Sequence, residues 1–364
     1  MTRKTSFKFF TYALLIAISL SIFNSNFIEV QAVAMTGERH KNVTSSDKLF
    51  ESNKSGVYNY CPTCISNGHT LDIWYCANEN SYSVRDSIMY RNVTILDNES
   101  TYSEEKVVLR STPNSWDSYH VCDPSVIEGN FSYNGQSYKY LMAYLGCSST
   151  DNQDNKIGIA VSNSKDGNFI KCNNYPLVDY IHDYSHSEFQ WGVGQPSLLS
   201  LGNGLVLLFY TSGTYNLTSE KVALYDLSNL NNPVLLNSVT VTNNGTGDFI
   251  SNGDFSISGS EIYMVCDHHP YGGSVLSCIP DTSNIYSISL KDPNDANQIL
   301  SDLQNGTWCY RSSLNGYRKN HNACFITYGN GVLASLNVIE SIAEERSNFS
   351  DSLYTYRLRM IKAF

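Results

Sequence analysis

Five times along the chain the same kind of opening recurs: "YCPTCI" (60–65), "CDPSVI" (122–127), "GQPSLL" (194–199), "GDFSIS" (253–258) and "HNACFI" (321–326). Aligning Cys61, Asp123, Gln195, Asp254 and Asn322 spaces the openings by 62, 72, 59 and 68 residues. A repeat of this period constrains the fold more than any other feature, because each unit is a supersecondary element that buries its apolar face only by stacking on a neighbour. Each opening leads to a second apolar run, as in "YKYLMAYLGC" (138–147) and "GLVLLFYTSG" (204–213), and then to an alternating third, as in "KIGIAVS" (156–162) and "KVALYDL" (221–227). Period-two patterning with β-branched and aromatic residues is strand chemistry. Some units carry a fourth run, "KVVLR" (106–110) and "VLLNSVTV" (234–241), and Asp166-Gly167 supplies a tight turn. The expectation is an all-β fold, a five-bladed β-propeller of mostly four-stranded antiparallel blades. A large sandwich would use the same strands, but it has no reason to repeat its unit five times.

The first residues read as an export signal. Arg3, Lys4 and Lys8 precede the apolar run Phe9–Phe23, and Ala32-Val33-Ala34 offers a small-residue cleavage site. The run is shorter than the roughly 20 residues of a membrane span, although an uncleaved anchor is the alternative. The expected organisation is therefore a signal peptide over 1–34, a polar lead-in over 35–55 and the propeller over 56–364. The whole chain carries a net charge of −10, and cleavage removes more basic than acidic residues. So acidic a surface repels phosphate backbones and anionic lipid, so neither nucleic acid nor, after signal cleavage, a membrane is an expected partner. Ten cysteines in an exported chain are read as disulfide material of undetermined pairing. Their spacing lacks the clustered His/Cys pairs of a zinc site, and neither metal nor cofactor is expected. Cys61-Pro-Thr-Cys64 has redox CxxC spacing but sits in a strand run with no helix behind it. Nine Asn-x-Ser/Thr sequons are about what a chain rich in Asn, Ser and Thr gives by chance.

The stretch "CDPSVIEGNF…YKYLMAYLG…NKIGIAVSNSKDGNF" (122–169), with "GVGQPSLLSLGNGLVLLFYTSG" (192–213), "SNGDFSISGSEIYMVCD" (251–267) and "HNACFITYGNGVLAS" (321–335), resembles the five-bladed propeller glycosidases, the arabinanases, β-xylosidases and fructosidases. The resemblance implies that the opening residues Cys61, Asp123, Gln195, Asp254 and Asn322 ring a central channel. With the export signal, which makes the protein secreted and extracellular, it implies a partner that is an oligo- or polysaccharide with furanoside or xyloside linkages. Glycoside hydrolysis uses two carboxyl groups, one protonating the leaving oxygen and one acting as base or nucleophile. The family pattern has an Asp base in the first blade, an orienting Asp in the second and a Glu acid. Here Cys61 stands at the first opening and Gln195 at the third, so the expected catalytic set is Asp123 and Asp254, with Glu188 of "HSEFQWGVGQ" supplying an acid from a loop. Gln195, Asn322, His321 and Trp191 are the expected substrate-binding residues. Amides hydrogen-bond sugar hydroxyls but cannot act as general acids, and an indole face suits sugar C–H surfaces. The alternatives are a catalytically inactive carbohydrate-binding propeller, in which the two Asp serve structure, and an extracellular interaction module.

Overall fold

The computed structural model describes residues 49, 50, 54–95, 100–268, 280, 282–314, 319–344, 346 and 348–362. The expected signal peptide, and all of the expected lead-in except Leu49, Phe50, Lys54 and Ser55, lie outside the described residues. Among the described residues strands predominate, with two short helices. The first unit comprises β1 (Tyr60–Ser66), β2 (Thr70–Asn78), β3 (Asp86–Ile95), β4 (Ser100–Tyr102) and β5 (Lys106–Leu109), with β4 and β5 both paired to β3. The second holds β6 (His120–Tyr133), β7 (Gln136–Cys147), β8 (Lys156–Ser162) and β9 (Ile170–Lys171). The third holds β10 (Gly192–Gly202), β11 (Leu205–Gly213), β12 (Thr218–Asp226) and β13 (Val234–Thr240). The fourth holds β14 (Asp254–Ser258), β15 (Glu261–Asp267), β16 (Ser283–Ser289) and β17 (Cys309–Leu314), with helix α1 (Ala296–Asn305) between the last two. The last holds β18 (Lys319–Thr327), β19 (Leu333–Ala343), the short helix α2 (Phe349–Leu353) and β20 (Arg357–Lys362).

The second, third and fourth units are separate four-stranded antiparallel sheets in sequential order. The first and last merge into one eight-stranded sheet, because β1 and β18 pair in parallel through Cys64–Ile326 and Ile65–Thr327. Among the described residues the last unit has three strands of its own. Leu49 supplies its edge: its N–H donates to Leu358 O of β20, and both Leu49 and Phe50 are buried within a stretch expected to be a polar lead-in.

Alternation explains how the units stack. Along β11, Leu208 points into a core shared with the second unit, and Phe209 into one shared with the fourth. Met264 and Val265 of β15 divide between the third and fifth units, and Phe325 and Ile326 of β18 between the fourth and first. Trp74 and Tyr75 of β2 complete the series, Trp74 facing the second unit and Tyr75 the last. Both faces of each sheet are thus buried, which is why runs such as "LVLLFY" are continuously apolar and why a two-layer sandwich does not describe the chain. The leading strands β1, β6, β10, β14 and β18 neighbour one another in chain order, and β18 returns to β1.

Candidate functional site

At five places near the start of the leading strands a non-glycine residue adopts left-handed backbone: Cys61 (φ 51°), Asp123 (φ 48°), Gln195 (φ 52°), Asn252 (φ 53°) and Asn322 (φ 45°). In β1, β6, β10 and β18 the ladder register slips at this point, the mark of a bulge. A bulge leaves one residue out of the ladder and re-aims its side chain. That accounts for the recurring proline: Pro62, Pro124 and Pro196 follow where no ladder N–H is needed. The five residues line one cavity of about 40 Å³, together with Asp254. That is room for roughly one water and far too little for a sugar ring.

The fourth member of the ring is Asn252, not Asp254. Asp254 stands two residues further on, where the other units have Thr63, Ser125, Ser197 and Cys324. This position joins neighbouring units. Ser125 Oγ accepts the Leu198 N–H (2.9 Å), and Ser197 Oγ accepts the Phe255 N–H (3.0 Å). Asp254 Oδ2 accepts the Phe325 N–H (2.8 Å), while its Oδ1 accepts the Ser197 hydroxyl (2.7 Å). Burial pushes the Asp254 carboxyl up to about 6 against these bonds, which favour its charged form. Both of its oxygens are engaged between units.

A second set of bonds fixes the ring itself. The left-handed residue of one unit donates its N–H to the side chain that ends the second strand of the unit before it. Asp123 donates to Cys76 Sγ (2.9 Å), Asn252 to Thr211 Oγ1 (3.1 Å), Asn322 to Asp267 Oδ1 (3.3 Å) and Cys61 to Ser341 Oγ (3.0 Å). The exception is Gln195, opposite which stands Leu145, a side chain that cannot accept. There packing replaces the bond: a Cβ on Gly194 would lie 2.3 Å from Leu145 Cδ1, so the backbone approaches that closely only as glycine. The Gln195 Oε1 is buried without a partner among the described residues.

Around Asp123 the environment is different. Its carboxyl, pushed up to about 6 by burial, is partly offset by a hydrogen bond from Cys61 and by His321, with Asp86 raising it and His120 lowering it further. Asp86 accepts from the hydroxyls of Tyr58 and Tyr60 and lies 3.3 Å from His120 Nδ1. Burial works against a charged His120, but Asp86 and Cys147 outweigh it and hold the imidazole up to about 10. His321 Nδ1 sits 2.6 Å from Asp267 Oδ2, a carboxylate that Asn252 Nδ2 also engages. Cys76 and Cys122 form a disulfide between the first and second units, and Trp191 packs beside it with Cys61, Leu145 and Cys147.

Asp123, Asp254, Gln195 and Asn322 therefore converge on one cavity, with His321 and Trp191 beside it. Glu188 does not join them: its side chain is 60 % exposed, and its ionic neighbour is His186 of the same loop at 3.6 Å. Sequence reasoning passed over Asn252, Asp86 and Asp267. The first was legible in Asn-Gly, the pair that most tolerates left-handed backbone. Of the other two, Asp86 opens β3 and Asp267 ends β15, placements visible only once the pairing is known.

No protein-family model matches the chain, and no curated protein sequence does. Solved structures are similar in fold. A family 117 glycoside hydrolase from the marine bacterium Zobellia galactanivorans superposes with a TM-score of 0.55 at 12% identity, over 90% of each chain. A family 43 β-xylosidase/α-arabinofuranosidase from a compost metagenome, in complex with xylotriose, gives 0.52 at 12% over 89% of this chain and 94% of that one. The Podospora anserina α-L-arabinofuranosidase in complex with cellotriose gives 0.52 at 10% over 85% and 92%. The fold is that of propeller glycoside hydrolases, as the repeat resemblance implied.

Proposed function

We propose that the five units close as a five-bladed propeller, and that the protein is an exported carbohydrate-binding member of this fold, without two-carboxylate hydrolysis. One observation carries the reading: of the five left-handed side chains around the axial cavity only Asp123 is an acid, and the carboxylate of Asp254 is engaged between units. A retaining or inverting mechanism needs a pair of carboxyl groups free to face the scissile bond. Export is supported by the Cys76–Cys122 bridge, since disulfides persist in oxidising compartments. No helix among the described residues is long and apolar enough to cross a membrane.

Since the axial cavity is water-sized, the ligand lies across its mouth. A separate pocket of about 300 Å³ lies between the first and last units, where Tyr82, 66% exposed, meets Tyr354 edge-on at 5.2 Å, flanked by Glu344, Arg346 and Asp351. Tyr354 in turn stacks on Tyr58, whose hydroxyl bonds Asp86, so the pocket adjoins the axial cluster. Aromatic faces beside charged groups suit the C–H and hydroxyl surfaces of a sugar. Calorimetric titration with arabino-, xylo- and fructo-oligosaccharides tests this. Binding to one class, weakened at least about tenfold by Tyr82→Ala, is expected; the absence of binding to any class would refute the reading.

A second reading keeps chemistry. Asp123, pushed up to about 6 by burial against the lowering pull of Cys61, His321 and His120, has the protonation behaviour of a general acid near neutral pH, and slow hydrolysis centred on it is the competing outcome.

A further inference from the structure

Partly within the ring and partly beside it lies a group of donors of which the carbohydrate reading uses only Asp123. Cys61 of β1, Cys76 of β2, and Cys122 and Asp123 of β6 bring three sulphurs and a carboxylate oxygen within 4.8 Å of one another, all four residues more than nine-tenths buried. We propose that these four side chains form a site for one thiophilic d¹⁰ divalent cation of the Zn²⁺ class, filled when Cys76 and Cys122 are thiols and emptied when they join as the disulfide. The donor number and type suit a tetrahedral site, in which bonds of about 2.3 Å put the sulphurs under roughly 4 Å apart.

The surroundings point the same way. Asn322 Nδ2 donates to Cys61 Sγ, and the Asp123 N–H donates to Cys76 Sγ (2.9 Å). Such outer bonds to sulphur orient and stabilise metal-bound thiolates. Cys122 Sγ lies 2.9 Å from Tyr60 Oη and 3.0 Å from Asp123 Oδ1, while the Tyr60 hydroxyl proton goes to Asp86 (2.9 Å). The spacing 61, 76, 122 and 123 hides the site because its donors come from three strands of two units.

The two forms interconvert with atoms and electrons in balance. The Cys76 and Cys122 thiolates give two electrons to a low-molecular-weight disulfide, which leaves as two thiolates. The S–S bond forms, the cation departs, and Cys61 takes up a proton. The covalent clasp between the first and second units replaces the metal clasp.

The test is independent of any glycan. The full chain is reduced with a phosphine, desalted and titrated with Co²⁺. The expected result is a sulphur-to-cobalt charge-transfer band that saturates at one equivalent and is bleached by Zn²⁺. Cys61→Ser should weaken it at least about tenfold, Cys172→Ser should leave it unchanged, and the oxidised chain should show none. A reduced chain that keeps its near-ultraviolet circular dichroism but gives no band overturns the proposal, as does a band indifferent to Cys61→Ser. A reduced chain that loses its fold decides the matter through zinc: refolding on addition of one equivalent supports the site, and failure to refold overturns it.

Discussion

Asp123 and Asp254 are the same residue type, both line the axial cavity, and burial pushes both carboxyls up to about 6. Their neighbours divide them. Asp254 holds a backbone N–H from the last unit and a hydroxyl from the third, taking the role that Ser125 and Ser197 play elsewhere in the ring. Asp123 takes its place among sulphurs and histidines, with its own N–H rather than its carboxylate joining the units. A raised carboxyl at a central cavity thus marks burial, and only the partners say whether it marks chemistry.

The sharpest way to break this contrast is to truncate each carboxylate. Asp254→Ala strands the Phe325 N–H and the Ser197 hydroxyl, and should lower the unfolding free energy by about 3 kcal/mol in urea titrations, while Asp254→Ser, the side chain of the equivalent positions, restores most of it. Asp123→Asn should cost less than about 1 kcal/mol and act on ligand affinity instead. Equal losses for the two would erase the distinction.

Acidity offers a second comparison. Both carboxyls ionise at about 6 in the folded chain against an ordinary 3.8, so the native state holds more protons than the unfolded one between those values. Their contribution to stability is complete below about pH 4 and is lost as pH rises through about 6. Unfolding measured from pH 4 to 7 should show a fall in stability that Asp123→Asn and Asp254→Asn each reduce; a slope unaltered by either would mean that their carboxyls titrate normally.

Smaller effects test the ring bonds. Thr211→Val and Ser341→Ala each remove one acceptor of a left-handed N–H and should cost about 1 kcal/mol, read from the denaturation midpoint. Least of all, Glu188→Gln should leave stability within about 0.5 kcal/mol and sugar affinity unchanged, because that carboxylate stands in solvent on its own loop.

The repeat was legible because it is built from chemistry that sequence displays: left-handed residues followed by proline, then apolar runs buried on both faces. Its fourth register was not. "GDFSIS" invites alignment of Asp254 with Asp123, yet the left-handed residue of this unit is Asn252, and only the bonds to Phe325 and Ser197 show the acid to be two places along. Asp86 and Asp267 were equally hidden, since nothing in "DSIMYR" or "EIYMVCD" tells which strand end meets the axis. Whether residues 45–56 complete the last unit stays open in the sequence, because two apolar residues in a polar stretch carry no period; the bond from Leu49 to Leu358 puts them at its edge.

We propose a fold that holds sugar across the mouth of its axial cavity and lacks a pair of carboxylates free to cut it. Mass-spectrometric product analysis of the wild-type chain, incubated with arabino- and xylo-oligosaccharides that it binds, puts it to the most direct test. The account predicts bound but uncleaved oligosaccharide at every pH from 4 to 7. Shortened products that disappear in both Asp123→Asn and Asp254→Asn would contradict it and restore the paired-carboxylate enzyme.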